Sequence, residues 1–320
     1  MSDFSNSVTQ VQIMELPNQL YHGYHVSIAQ GYKTGLKEAY SLGCHGCQVF
    51  LRPPQSVNQL CSKMDDNDAK NARKFAEKND IKVVVHSPYT VNFAHYPDSD
   101  TVKKMMIVML DEFRCAEKLG AIGCVIHMGK RNTKAEKIEY DQALKNKIKN
   151  IQTLLKNVKA KNINGVKLIL ETSCGAGSEM CSKTKDLAIL FNSIKKKYHS
   201  MIGFCIDTCH IFTAGYNIST SKGALKYLKK FDRYIGLGKV DVIHFNDSRV
   251  ECGCKKDRHQ FIGAGYIASQ EYGGTPYGLA EIARFAYLRK LPIILETGGP
   301  IQPQLQMIEL FSGFSQTPKL

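Results

Sequence analysis

Eight short apolar runs recur along this chain, and the spacing between them constrains its fold more than any other feature. The runs are YHGYHVSI (21–28), GCQVFL (46–51), IKVVVH (81–86), IGCVIH (122–127), VKLILE (166–171), IGFCID (202–207), VDVIHF (240–245) and LPIILE (291–296). Amphipathic segments lie between them, among them DAKNARKFAEKND, TVKKMMIVMLDEFRCAEKLG and YGLAEIARFAYLRK. Near-continuous Val, Ile and Leu suit strands covered on both faces, as in a parallel sheet. Eight such strands alternating with helices predict an α/β chain closed into a (β/α)8 TIM barrel. An open doubly wound sheet is the alternative. No glycine-rich nucleotide-binding turn follows the first run, which counts against it. A polar N-terminal tail over residues 1–20 and a single barrel domain over 21–320 are therefore expected.

Six of the runs end on, or one residue after, a residue able to bind a metal: His86, His127, Glu171, Asp207, His244 and Glu296. The intervals between them are 41, 44, 36, 37 and 52 residues, each long enough for one helix and a return strand. In a barrel these strand ends meet at the C-terminal mouth, where barrel active sites lie. One such residue alone reads as a satisfied hydrogen-bonding group. All of them together carry heavy desolvation and repulsion costs unless a cation neutralises them. Imidazole and carboxylate donors, with no thiol at the strand ends, suit zinc, manganese or iron. The carboxylates can bridge ions. A multinuclear centre is expected, of the kind that clamps both oxygens of a phosphodiester displacement.

The segment GFCIDTCHIF (203–212) sets thiols against these donors. Asp207 ends its strand and His210 lies one turn onward, both near the mouth. Cys205 shares a strand face with Asp207 but sits deeper. Cys209 has no thiol partner at zinc-finger spacing. Both cysteines read as small apolar filler, and Asp207 and His210 as the ligands. After the seventh run, CGCKKDRHQFIGAG places Asp257 and His259 on one side of an extended stretch and Arg258 on the other. Alone, D-R-H is a solvated turn; following HFNDS within one loop, it extends the ligand set. Metal binding is not expected of Cys252 and Cys254, and CHGC (44–47) is expected to pack.

Lysine and arginine number 43 against 29 acidic residues, a net charge of +14. That favours a polyanionic partner, nucleic acid or an acidic membrane surface. No stretch approaches the ~20 apolar residues of a membrane span. The start, MSDFSNSVTQVQIMELPNQ, lacks the basic and apolar regions of a signal peptide. An intracellular, non-secreted protein is expected, its 11 cysteines mostly free thiols.

ILETSCGAGSE, IDTCHIFTAGYNI, HFNDSRVECGCKKDRHQFIGAG and PIILETGGP resemble, in order, signature segments of endonuclease IV, the zinc-dependent apurinic/apyrimidinic endonucleases; so do GYHVSIAQG and VVHSPYTVNFAH nearer the start. The resemblance covers roughly residues 21–300. It implies a (β/α)8 barrel with three zinc ions that acts as a monomer on duplex DNA containing abasic sites. Glu171 would bridge two zincs, one also held by His86 and His127, the other by Asp207, His244 and Glu296. His210, Asp257 and His259 would hold the third. Zinc brings the pKa of a bound water to about 7, and Glu171 would orient the resulting nucleophile. Cleavage would fall 5′ of the abasic site and leave a 3′-hydroxyl and a 5′-deoxyribose phosphate. A nucleotide without its base is cheaply flipped out, one source of selectivity.

By the same resemblance Tyr89 and Asn92 approach the lesion, Tyr89 as support for the opened stack or as a rim aromatic. In RPPQS (52–56), Gln55 stands where a residue enters the DNA, with Arg52 as a possible substitute. Arg258 would meet a phosphate. The lysine-rich stretch 134–162 reads as a solvated helix face. Two rival readings are a metal-dependent sugar isomerase or epimerase on a related barrel, and a non-catalytic DNA-binding barrel.

Overall fold

Each of the eight apolar runs forms one strand of a closed parallel barrel in the computed structural model, which describes residues 17–314 apart from 57–59, 62–63 and 134–136. In chain order the elements are β1 (His22–His25), α1 (Tyr32–Ser41), β2 (Gly46–Phe50), α2 (Asp66–Lys78), β3 (Lys82–His86), α3 (Asp100–Leu119), β4 (Gly123–Ile126) and α4 (Tyr140–Ala160). Then come β5 (Lys167–Glu171), α5 (Thr184–Ser193), β6 (Ile202–Asp207), α6 (Thr208–Thr213), α7 (Ser221–Tyr234) and β7 (Val240–His244). The chain ends with β8 (Asp247–Ser248), β9 (His259–Gln260), α8 (Tyr277–Leu288), β10 (Ile293–Leu295) and α9 (Ile301–Ser312). The barrel order is β1-β10-β7-β6-β5-β4-β3-β2, closed by His22 pairing with Ile293. The strands β8 and β9 form a separate antiparallel pair.

Side chains alternate along a strand, so residues two apart share a face. Val84, Val125, Ile169, Cys205, Val242 and Ile294 form a fully buried cluster of their own. Each stands two residues before one of His86, His127, Glu171, Asp207, His244 and Glu296. The same alternation sends both sets inward. The barrel interior therefore carries an apolar layer with the candidate ligands directly above it. His127 and Glu296 lie one residue past the ends of β4 and β10, so these two leave the regular ladder at the mouth.

Closure of the barrel depends on glycine where β1 meets β2. A Cβ at Gly23 would stand 1.7 Å from the Gly46 carbonyl oxygen, so no larger residue fits without moving a strand. Capping fixes the helices that carry the mouth loops. Asp65 accepts from the backbone of Asn67 and Asp68 at the start of α2, and Ser99 accepts from Val102 at the start of α3. Gly120, at φ 73°, ends α3 in the left-handed region.

Two expectations are corrected. Pro17 and Leu20 are already buried, and the Tyr287 hydroxyl donates to the Pro17 carbonyl, so barrel packing reaches into the segment read as tail; residues 1–16 lie outside the described residues. The lysine-rich stretch forms α4, but its Lys147 is buried and donates to the Met128 carbonyl. Among the described residues, no helix is long and apolar enough to cross a membrane.

Candidate metal centre

Glu171 ends β5 at the centre of the mouth and is almost wholly buried. Its two carboxylate oxygens face different partners. Oε2 lies 3.6 Å from His86 Nε2 and 3.5 Å from His127 Nε2. Oε1 lies 2.9 Å from His244 Nδ1 and 3.4 Å from His210 Nδ1. Donors around a tetrahedral ion bound at about 2.0–2.1 Å stand roughly 3.3 Å apart. Both Glu171 Oε2–imidazole separations are close to this value, and the three donors of the His86–His127–Glu171 group all lie within 4.8 Å of one another.

Hydrogen bonds on the far side of each ring decide which nitrogen faces inward. His86 Nδ1 is 2.7 Å from the Ser87 carbonyl, which only accepts, so this nitrogen carries the proton and Nε2 is left as a donor to metal. His210 Nδ1 is likewise 2.8 Å from the Thr172 carbonyl. His244 Nε2 lies 2.8 Å from Gln48 Oε1, while Gln48 Nε2 donates to Glu296 Oε1 at 2.8 Å. The carboxylate can only accept, which fixes the orientation of the amide. His244 therefore turns Nδ1 toward Glu171 and toward Glu296 Oε2, 3.2 Å away. Asp207 caps α6 by accepting from the His210 backbone at 2.7 Å; its other oxygen accepts from Asn246 Nδ2 at 2.7 Å and lies 3.9 Å from His244 Nδ1.

A third group closes the centre from above. Asp257 lies 3.2 Å from His210 Nε2 through one oxygen and 3.0 Å from His259 Nε2 through the other. Pairing of Ser248 with His259 brings His259 over the barrel. Buried Asp247 anchors the loop by accepting from the backbone of Ser248, Gly263, Gly265 and Ile267.

These residues fit divalent cations. Glu171 Oε2, His210 Nε2 and His259 Nε2 are buried polar atoms that make no well-aligned hydrogen bond despite the charged groups beside them, and all belong to the cluster. Such atoms are costly unless something else satisfies them. Burial alone would push the Glu171 carboxyl up, yet His127 and His244 outweigh it and hold it well below the usual carboxylate range. Burial disfavours charge on His210, but Asp207, Asp257 and Glu171 together raise it well above its ordinary value. Carboxylates that pull protons onto neighbouring histidines attract a metal cation by the same field.

All nine predicted ligands converge here. The cysteines lie closer than the sequence suggested. Cys205 is within ligand distance of Glu171 and His244, and Cys209 of Asp207 and His259. Burial raises both thiols, Cys205 to about 12, which opposes the thiolate a metal needs. Cys44 and Cys47 pack in the core, as CHGC was read. Cys252 is exposed and Cys254 half-buried.

Above the cluster opens a cavity of about 600 Å³, lined by Tyr89, Arg249, Arg258, Phe261 and Gly299 among others. Tyr89 is 48% exposed, with its ring 5.5 Å from His86 and 5.2 Å from His127. Arg258 is exposed and lines the same cavity as Asp257 and His259. Gln55 is exposed on the loop after β2, which is joined to the Tyr89 loop by the Tyr89 backbone donating to the Pro54 carbonyl.

Asn92 and Arg52 depart from expectation. The Asn92 amide donates to the Lys130 carbonyl at 2.7 Å and accepts from the Ala94 backbone at 3.1 Å, so it ties the β3 and β4 loops together instead of lining the cavity. Arg52 is buried, donating to Glu112 Oε2 at 3.0 Å and to the Val108 carbonyl at 3.2 Å. Buried Glu112 draws the guanidinium inward, and Arg52 cannot substitute for Gln55. Gln48, Asn246 and Thr172 were missed. Their only signal was polarity: Gln48 inside an apolar run, Asn246 two residues after His244, and Thr172 next to Glu171.

Residues 36–275 match the family described as a xylose isomerase-like TIM barrel. The chain is 34% identical over 277 residues to a candidate endonuclease 4 of Acanthamoeba polyphaga mimivirus, covering 86% of this chain and 84% of that one. It is 32% identical over 289 residues to an apurinic-apyrimidinic endonuclease of Caenorhabditis elegans, covering 89% and 68%. The solved structure of endonuclease IV from Thermus thermophilus superposes with a TM-score of 0.72 at 24% identity, covering 92% and 98%. That likeness bears on the fold.

Proposed function

The chain belongs to the endonuclease IV family, and from that premise we propose that it hydrolyses the phosphodiester 5′ to an abasic site in duplex DNA at a trinuclear zinc centre. The products would be a 3′-hydroxyl and a 5′-deoxyribose phosphate. The observation that carries this reading is Glu171, with separate histidines at its two oxygens and one oxygen otherwise unsatisfied.

In this reading His86 and His127 would hold one ion with Glu171, and Asp207, His244 and Glu296 a second with it. His210, Asp257 and His259 would hold the third. Zinc held there would supply Lewis acidity at the phosphate and would lower the pKa of a bound water to about 7. The remaining work falls to the chain. Gln48 and Asn246 keep the Glu296 and Asp207 oxygens aimed at the centre. Glu171 orients the attacking water from a buried, anionic position. Arg249 and Arg258 on the cavity wall meet phosphates, and Tyr89 offers an apolar face beside the opened site. The buried layer below keeps bulk water out of the centre from beneath.

A duplex labelled at one end and carrying one abasic analogue tests this. In zinc-replete buffer the strand should be cut on the 5′ side of the lesion, and a polymerase should extend the new 3′ end. An uncut strand, or a 3′ end that blocks extension, rejects the assignment. A sugar isomerase or epimerase would leave the strand whole, and it gives Asp257, His259 and the cationic wall no task.

A further inference from the structure

A second group of ligand-type side chains lies outside the mouth cavity. Cys61, in the loop after β2, meets Asp111 and Cys115 of α3, and their donor atoms all lie within 4.8 Å of one another. Asp111 and Cys115 are four residues apart on one helix face. The Cys61 backbone donates to Asp111 Oδ2 at 2.6 Å and its thiol to the same oxygen at 3.0 Å, and the Cys61 and Cys115 sulfurs lie within 4.8 Å of each other. Arg52 Nη2 lies 3.0 Å from Cys61 Sγ and 3.5 Å from Asp111 Oδ2. A permanently charged guanidinium against two of the three donors repels a metal cation. Contact with Cys115 and burial hold the Cys61 thiol up, which the guanidinium only partly offsets, whereas the contact with Cys61 lowers the Cys115 thiol. The sulfur anion, the form that reacts with oxidants, therefore belongs on Cys115.

We propose that Cys61 and Cys115 are a reversible dithiol–disulfide pair that fastens the loop after β2 to α3. With a peroxide as oxidant, one sulfur attacks a peroxide oxygen, the O–O bond breaks, and the departing hydroxide takes the thiol proton as water. The second sulfur then attacks the sulfenic sulfur, the S–O bond breaks, and a second water leaves. Two thiols and one hydrogen peroxide become one disulfide and two waters. Closing the sulfurs to about 2.05 Å draws Cys61 away from Asp111 and Arg52. Arg52 also holds Glu112, Glu112 accepts from the Ser87 hydroxyl, and the Ser87 carbonyl holds His86 Nδ1. Oxidation thus reaches a proposed ligand through four contacts in series.

The test treats the full-length protein with hydrogen peroxide, alkylates the remaining thiols and maps peptides without reduction. A linked Cys61–Cys115 peptide is expected, with incision of the abasic duplex slowed several-fold and restored by dithiothreitol. Cys115→Ser should keep the reduced-state rate and lose this response. Two free, alkylatable thiols after treatment, or a link from either to another cysteine, overturn the pair. So does a cobalt–thiolate absorption band that Cys115→Ser abolishes, which would make the group a metal site. A linked peptide with an unchanged rate overturns the coupling to His86. The mass readout needs no DNA, so this proposal and the nuclease assignment fail separately.

Discussion

Gln48 carries no charge, yet its amide holds His244 and Glu296 on opposite sides and also lies 3.2 Å from His25. Replacing it with leucine would leave the His244 ring free to turn and the Glu296 oxygen without its donor. Gln48→Leu is expected to lower metal affinity or incision by roughly 10–100-fold while leaving the fold intact, as measured by zinc titration and circular dichroism. Unchanged zinc binding would show that the ring is held by something else. Asp257 lies in a loop and His259 in the short β9, both outside the barrel strands. The Asp257→Ala/His259→Ala double variant should therefore lose one metal and most incision with little change in melting temperature. Cys205→Ala and Cys209→Ala should keep every metal; elemental analysis after dialysis decides both points. The strand-end ligands were legible because an ionisable residue after an apolar run breaks its own pattern. Gln48 was not, since one polar residue inside a run does not reveal its partner across the barrel. Arg52 was misread for a related reason: the sequence does not show that Glu112 turns inward.

Helix α4 illustrates the next scale up. Its hydrophobic spacing was visible, and the abundance of lysine suggested a solvated face. The buried side instead carries Asn146, Lys147 and Asn150, which donate to the carbonyls of Ala94, Met128 and both Phe93 and His95. Those carbonyls belong to the loops after β3 and β4, which no residue-by-residue reading joins to α4. Burial is what brings the Lys147 pKa down to about 8. The folded value lies below the ordinary 10.5, so the unfolded chain binds more protons between these limits and stability rises with pH across the window. The total effect is about 3 kcal/mol, complete above the unfolded pKa. Lys147→Met removes this term. Its stability advantage over the natural chain, measured by urea unfolding, should be largest near pH 7 and shrink steadily toward pH 10. A pH-independent difference would mean that burial does not lower the Lys147 pKa and that the folded and unfolded chains hold this proton equally.

At the scale of the whole molecule, the number and order of strands followed from spacing alone, because a parallel barrel needs one helix per return. The extent of the polar tail did not, since Pro17 and Leu20 acquire their burial only from distant partners such as Tyr287. The net charge of +14 acts over the entire surface. If it serves DNA binding, affinity should fall with salt at a log–log slope of roughly −0.9 per phosphate neutralised. The slope should match for intact and abasic duplexes, because charge does not sense a missing base, while cutting stays confined to the abasic one. Filter binding and incision across a salt series measure both.

The layer formed by Val84, Val125, Ile169, Cys205, Val242 and Ile294 has a kinetic consequence. It closes the barrel interior beneath the ligands. An ion leaving the ligands cannot pass downward through packed side chains and must depart by the route that a DNA strand would cover. A duplex seated on the mouth then acts as a lid. Stripping of zinc by a chelator should slow markedly when an uncleavable abasic duplex is bound and return to its free rate when the duplex is competed away. Equal stripping rates with and without the duplex would reveal a second exit.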